Sequence, residues 1–436
     1  MSIFDKFKPL REKYEQLKAH GHDPSQLKFD EIISPTEAVM DGKRMILLGT
    51  NNYLGMTFDE GCVESAVDAI REMGTGTTGS RIANGSYEGH RALEEEIAAF
   101  YGMTDAMVFS TGYLANLGTI ATLAGSGDHL LLDADSHASI YDASRLCHAQ
   151  VTRFRHNNPD DLAKRLRRLE DQGGDKVVVI ESIYSMLGDT APLKEFVDVK
   201  REFGATLIMD EAHSLGAMGE TGRGLCEQEG QEDGIDFVVG TFSKSIGTIG
   251  GFCVSSVPGM DLMRVASRPY MFTASLPPSV IASARTAFTR LPEMKDLRTK
   301  LWDNARHLYS GLKAAGFELG PEVSPIVAIQ LPSPDLAIAL WNGLLDAGIY
   351  TNLALPPATP HGWSLLRSSI SASHTPEQIA TAVEVCTQIG RELGIIEIGK
   401  VVELSEARPL SESPLAATDE AKRPVLQEQD VAAATG

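Results

Sequence analysis

The spacing of apolar positions along the chain predicts its elements. Ile3, Phe4, Phe7, Leu10, Tyr14 and Leu17 recur every three or four residues, as on one face of a helix, so the chain should open with an amphipathic helix lying on something else. From about residue 60 to 255, helical patterns alternate with short β-rich runs at 106–110, 129–133, 150–154, 176–181, 205–210, 236–240 and 251–255. Strands that are apolar almost throughout and separated by helices predict an α/β fold with a mostly parallel seven-stranded sheet covered on both faces. In such a sheet the active groups gather at the C-terminal strand ends. Pro277, Pro278 and a helical stretch at about 293–315 mark the handover to a smaller α+β unit. Its strands are expected at 326–331, 349–352 and 365–370, and its helices at 335–347 and 376–393. The expected organisation is an N-terminal arm (1–58), a large domain (59–276), a small C-terminal domain (277–398) and a tail (399–436). Residues 401–436 hold no aromatic residue and carry a net charge of −4, a composition that predicts disorder.

Composition narrows the class. Hydrophobic residues at 43% and charged residues at 22% rule out a disordered, collagen-like or coiled-coil protein. With 39 Lys and Arg against 59 Asp and Glu, the net charge of −20 would repel nucleic acid, which drops out as a partner. The five cysteines (Cys62, Cys147, Cys226, Cys253 and Cys386) form no C-x-x-C pair and are odd in number, so neither a disulfide framework nor a metal site is suggested. No run of about 18 apolar residues exists to span a membrane. The charged first 20 residues lack the apolar stretch of a secretory signal. A cytoplasmic protein is expected, with at most peripheral membrane contact through the opening helix.

Three motifs compete for the chemistry. Gly74-Thr75-Gly76-Thr77-Thr78-Gly79 matches G-x-G-x-x-G, but a helical pattern rather than a strand precedes it, against a dinucleotide fingerprint. So glycine-rich a segment, with Gly85 and Gly89 following, suits close approach of backbone to a ligand or a flexible loop. Asp210-Glu211-Ala212-His213 spells a motif of nucleic-acid-dependent ATPases. That reading needs a phosphate-cradling G-x-x-x-x-G-K-[ST], which is absent; before Lys244, Ser243 stands where the glycine should be. At the end of strand 205–210, Asp210 instead either caps the next helix or reaches the crevice above the sheet, with His213 beside it. Thr241-Phe242-Ser243-Lys244, directly after strand 236–240, favours the crevice: a lysine at a strand end among hydroxyls and glycines is poorly explained as a surface charge. A lysine lowered in pKa forms Schiff bases, an aspartate partners a pyridinium nitrogen, and hydroxyls hold a phosphate. Together these are the needs of pyridoxal 5′-phosphate (PLP). Ser110-Thr111-Gly112-Tyr113, between a strand and a helix, supplies backbone amides for that phosphate.

These residues lie within seven segments, in order, that carry a resemblance: 49–55 (GTNNYLG), 74–85 (GTGTTGSRIANG), 133–141 (DADSHASIY), 184–189 (YSMLGD), 210–213 (DEAH), 240–245 (GTFSKS) and 272–278 (FTASLPP). From about Leu47 to Thr375 the chain resembles the α-oxoamine synthases, PLP enzymes of the type I aminotransferase fold. Within that family it is most similar to bacterial members that condense L-serine with a long-chain acyl thioester. The resemblance implies that Lys244 holds PLP, that Asp210 keeps the ring nitrogen protonated, that His137 stacks on the ring and helps recognise substrate, and that His213 hydrogen-bonds the phenolic oxygen. It assigns the phosphate to Gly112, Tyr113, Thr241 and Ser243, with Thr273 and Ala274 reaching over from the second subunit of a homodimer. It also places Ser185 at the cofactor, and Asn52 and Arg367 at the substrate, Arg367 clamping the carboxylate. The implied reaction joins L-serine to a palmitoyl-CoA-like thioester, or one on a carrier protein, with loss of CO2, giving 3-ketodihydrosphingosine. The alternative within the family is a glycine-using member such as 5-aminolevulinate synthase or 2-amino-3-ketobutyrate CoA ligase.

Overall fold

Strand alternation builds the centre of the molecule. In the computed structural model, which describes residues 2–397 except 20 and 357, seven strands form one sheet. They are β1 (Asp105–Phe109), β2 (His129–Asp133), β3 (Gln150–Phe154), β4 (Lys176–Glu181), β5 (Thr206–Asp210), β6 (Phe237–Thr241) and β7 (Gly251–Ser255). Their order across the sheet is β1-β7-β6-β5-β4-β2-β3. Successive side chains leave on opposite faces. Leu131, Val178 and Met209 enter one core with Phe196 and Leu193, whereas Leu130, Val179 and Ile208 enter a second with Ile120 and Ile140. The predicted sheet is present, its strands within a residue or so of expectation. β7 runs antiparallel to both β1 and β6, since only residues 242–250 join it to β6 and a parallel crossover needs a dozen or more.

The helices at Lys295–Ala315, Pro334–Asp346 and Pro376–Glu392 match the sequence pattern. The last starts from a reciprocal cap in which Thr375 and Gln378 satisfy each other's backbone N–H, with Pro376 in the first turn. The smaller sheet is antiparallel: Ile326–Leu331 and Asn352–Ala354 flank Ser364–Ser369, which places Arg367 between Ala328 and Asn352.

Two expectations change. The strand predicted at 349–352 is two strands, because Ile349–Tyr350 leaves the small sheet to pair in parallel with Lys43–Leu47 of the N-terminal segment. That segment is more than an arm: Glu31–Ser34, Glu37–Met40 and Lys43–Leu47 form consecutive hairpins, the second closed by Asp41 and Gly42 at φ of 49° and 73°. The opening helix, Lys8–Ala19, exists, but the first part of its apolar stripe lies on none of the described residues: Phe4 and Leu10 are 61% and 65% exposed, while Tyr14 and Leu17 are half-buried. An apolar stripe encodes the need for a cover without naming what provides it. The tail expected to be disordered lies outside the described residues.

Candidate functional site

Four strand ends and one helix start meet above the C-terminal edge of the sheet. The helix Gly112–Leu123 follows β1; Thr111 caps it by accepting from the Leu114 N–H at 3.1 Å, so the first-turn amides of Gly112 and Tyr113 have no intrahelical partner. Gly112 is required there, since a Cβ would stand 2.7 Å from the Thr241 side chain. A cavity of 330 Å³ opens beside this helix start. It gathers Gly112, Tyr113, His137, Asp210, His213, Thr241, Ser243 and Lys244, brought from four separate stretches of chain.

Electrostatics differentiate these groups. Asp210 is buried at the end of β5, its two oxygens accepting from the Ala212 N–H at 2.9 Å and from Asn116 Nδ2 at 2.7 Å. Lys244 follows β6, and its amine makes no hydrogen bond or ion pair among the described residues. Burial pushes it down to about 8, against the opposing pull of Asp210, and Arg367 lowers it further. His213 is buried and held well below the ordinary histidine range by burial, then by Lys244 and Arg367, so the ring is neutral. Its Nδ1 lies 2.7 Å from the Tyr53 hydroxyl, whose own pKa burial raises to about 12. A tyrosine that keeps its proton can donate it to Nδ1 or accept from it; when it donates, the ring proton of His213 sits on Nε2. Thr241 Oγ1 and Ser243 Oγ stand 2.9 Å apart on the cavity wall. His137 is exposed at the rim, with Tyr113 edge-on to it at 6.5 Å between ring centroids.

The remaining candidates lie outside this cavity. Arg367 is 7% exposed and carries no ion pair among the described residues; it donates to Asn51 Oδ1 at 3.2 and 3.3 Å, to Ser369 Oγ at 3.0 Å and to the Ser185 carbonyl. A buried guanidinium held only by neutral acceptors is prepared for an anion. Ser185 thus meets Arg367 through its backbone. Asn52 turns away, donating to Thr57 Oγ1 at 2.7 Å. Thr273 is half-buried and Ala274 exposed, and Ala274 forms a β-bridge with Ser80. The glycine-rich loop at 74–85 packs against this same stretch: Ser275 Oγ donates to the Gly85 carbonyl at 2.6 Å, and a Cβ on Gly85 would sit 2.2 Å from the Gly79 oxygen. Glu211, the second residue of the ATPase-like quartet 210–213, points away from the cavity and accepts from the Leu225 and Cys226 amides at 3.0 and 2.9 Å.

Sequence reasoning missed four residues here. Asn116 lies one helical turn beyond Gly112 and could have been found from that spacing. Glu181, the last residue of β4, pairs in register with Asp210, lines the cavity and accepts from the His137 amide; burial, then Asp210, drives its carboxyl well above the ordinary range. An acid ending an apolar parallel strand was the available signal. Asn51 and Tyr53 stand in the 49–55 segment, but nothing local marked their roles, because their partners lie 316 and 160 residues away.

The residues fit PLP. A lysine amine of lowered pKa, a buried carboxylate, two free amides at a helix start and paired hydroxyls line one cavity, and Ser110 Oγ and Asn116 Oδ1 are buried nearby without partners. The aminotransferase class I and II family model matches residues 43–385. The chain belongs to that family. Among its members the chain is 60% identical over 397 residues to the serine palmitoyltransferase of Caulobacter vibrioides, covering 91% of this chain and 98% of the relative. It is 52% identical over 389 residues to the serine palmitoyltransferase of Sphingomonas paucimobilis, covering 89% and 92%. A solved serine palmitoyltransferase with PLP superposes with a TM-score of 0.89 at 51% identity, covering 91% of this chain and all of that one. The family resemblance read from the seven segments is borne out, and the ATPase reading of 210–213 is set aside.

Proposed function

We propose that this chain is a PLP-dependent acyltransferase that condenses L-serine with a long-chain acyl thioester such as palmitoyl-CoA. The serine Cα loses its proton and bonds to the acyl carbon as the thiol leaves; the serine carboxylate then departs as CO2 and a proton returns to Cα, giving 3-ketodihydrosphingosine. The observation that carries the reading is Lys244 and Asp210 at neighbouring strand ends, with Arg367 buried and paired with no acid among the described residues. The names of the relatives agree with it.

When bound, PLP supplies an electron sink for the charge that develops at the serine Cα. Asp210, already oriented by Ala212 and Asn116, would hold the proton on the pyridine nitrogen. His213 would hydrogen-bond the phenolic oxygen. Gly112 and Tyr113 amides with Thr241 and Ser243 hydroxyls would take the phosphate, and the lowered pKa of Lys244 suits it to remove the Cα proton near neutral pH. Arg367 would receive the carboxylate, while His137 would cover the cofactor and contact the substrate. Ser185, Asn52, Thr273 and Ala274 complete the proposed set, the last two across a homodimer interface from the partner's site. We further propose that residues 59–276 act as the cofactor domain and 277–398 as the small domain, in a cytoplasmic enzyme. No helix among the described residues is long and apolar enough to cross a membrane.

The test is a product assay by mass spectrometry with serine, glycine and alanine against acyl-CoA donors of several lengths. Serine with long-chain donors should give the dominant product. Tighter saturation and turnover with glycine and a short acyl-CoA would assign the chain to the glycine-using alternative instead.

A further inference from the structure

His156 follows β3 and lies outside the cavity, yet it touches both loops that carry the site. Its Nδ1 is 2.8 Å from Asp133 Oδ1 and its Nε2 is 2.6 Å from Asp189 Oδ2; Asp135 stands at 3.8 Å and the Tyr184 ring meets it edge-on at 4.4 Å. Asp133 is fully buried at the end of β2, four residues before His137. Asp189 closes a turn in which the Tyr184 N–H donates to the Asp189 carbonyl and the Gly188 N–H to the Tyr184 carbonyl, both at 2.9 Å. That turn presents the Ser185 carbonyl to Arg367 Nε.

The next residue reinforces the link. Asn157 adopts a left-handed φ of 47°, which lets its amide reach Asp133 Oδ2 at 2.8 Å while Nδ2 reaches Asp189 Oδ2 at 2.8 Å and the Thr190 carbonyl at 2.9 Å. With both ring nitrogens donating to carboxylates the imidazole is a cation: burial opposes the charge, but Asp133 and Asp189 outweigh it and raise the pKa to about 10. Two buried carboxylates, one ending β2 and one in the 184–189 turn, are thereby held to one ring.

We infer that His156, bridging Asp133 and Asp189, is a positioning residue for the substrate carboxylate, holding the turn whose Ser185 carbonyl aims Arg367. This rests on the reading of Arg367 as the carboxylate clamp. A ligand lacking the carboxylate should therefore be indifferent to His156, and that separates positioning from general support of the fold.

The experiment titrates the holoenzyme with L-serine and with L-serine methyl ester, following the visible absorption of the cofactor. In His156→Gln the serine midpoint should rise roughly ten- to a hundredfold, the scale of a misplaced binding group, while the ester midpoint stays where it was. Asp189→Asn keeps the His156–Asp133 pair and should show the same selectivity at smaller amplitude; it decides the question if His156→Gln does not fold. Equal weakening of both ligands, or of neither, in whichever variant folds overturns the inference. An unsubstituted enzyme whose spectrum ignores serine overturns the functional reading itself, and that failure appears in the parent protein rather than in the variants.

Discussion

Lys244 and His156 are both bases set near buried carboxylates at the same edge of the sheet, and the protein treats them in opposite ways. His156 has each ring nitrogen on a carboxylate and a pKa raised to about 10. Lys244 has neither hydrogen bond nor ion pair among the described residues, and burial lowers its pKa to about 8 against the pull of Asp210, whose oxygens are engaged by Asn116 and Ala212. Arg367 resembles Lys244 in this respect, a buried cation with only neutral acceptors. Burying a charge without an acid is costly, so where a fold tolerates it the partner is expected from outside. Compensated charge marks the frame, and uncompensated charge marks where ligand goes.

The largest expected effect lies on the uncompensated side. Lys244→Ala should abolish the visible absorption of the lysine-bound cofactor and lower turnover by at least about 10³-fold, as loss of a positioned base does; a coloured, active variant would show that Lys244 is not the attachment point. Arg367→Ala should raise the half-saturating concentrations of serine, glycine and alanine together, by roughly ten- to a hundredfold, as loss of a charge-assisted pair does. A rise confined to serine would mean that Arg367 reads the hydroxymethyl group rather than the carboxylate.

A third experiment asks whether the cavity is complete in one chain. Lys244→Ala chains mixed with chains disrupted at Thr273 should recover part of the activity, because one composite site per heterodimer then has both contributions intact. Verified subunit exchange without recovery would place Thr273 outside the site.

The smallest effect belongs to the compensated side and concerns stability. His156 has a folded pKa above the unfolded value of about 6.5, so its contribution is fully present below that pH and is lost as pH rises through about 10. The groups facing it are Asp133, Asp135, Asp189 and the Tyr184 ring. The melting temperature of the parent protein should therefore exceed that of His156→Gln by most near pH 6, and the gap should narrow toward pH 10. A gap independent of pH would mean that His156 contributes shape rather than charge.

The cofactor side of the site was legible in the chain because its members sit at strand ends, where a short motif and an apolar run appear together. Asp210 after 206–209 and Lys244 after 237–241 are local signals, and so is Gly112 at a strand-to-helix step. The substrate side was less so. Asn51 and Asn52 are adjacent and chemically identical in sequence, yet Asn51 reaches Arg367 and Asn52 reaches Thr57, a choice made by the backbone direction of one loop. The hairpin at Asp41-Gly42 was readable, since an Asp-Gly pair between alternating runs demands a turn with φ > 0 at both positions.

By itself, then, the sequence determined what depends on neighbours along the chain: the period of each strand and helix, the caps, the glycine that admits Thr241, and the motif that puts a lysine at the end of β6. Tertiary structure alone decided which charges would be answered. Whether a lysine keeps its proton, whether a histidine between two loops becomes a cation, and which of two asparagines meets Arg367 depend on groups brought within about 3 Å from tens to hundreds of residues away. Those distances are products of packing, and no local pattern carries them.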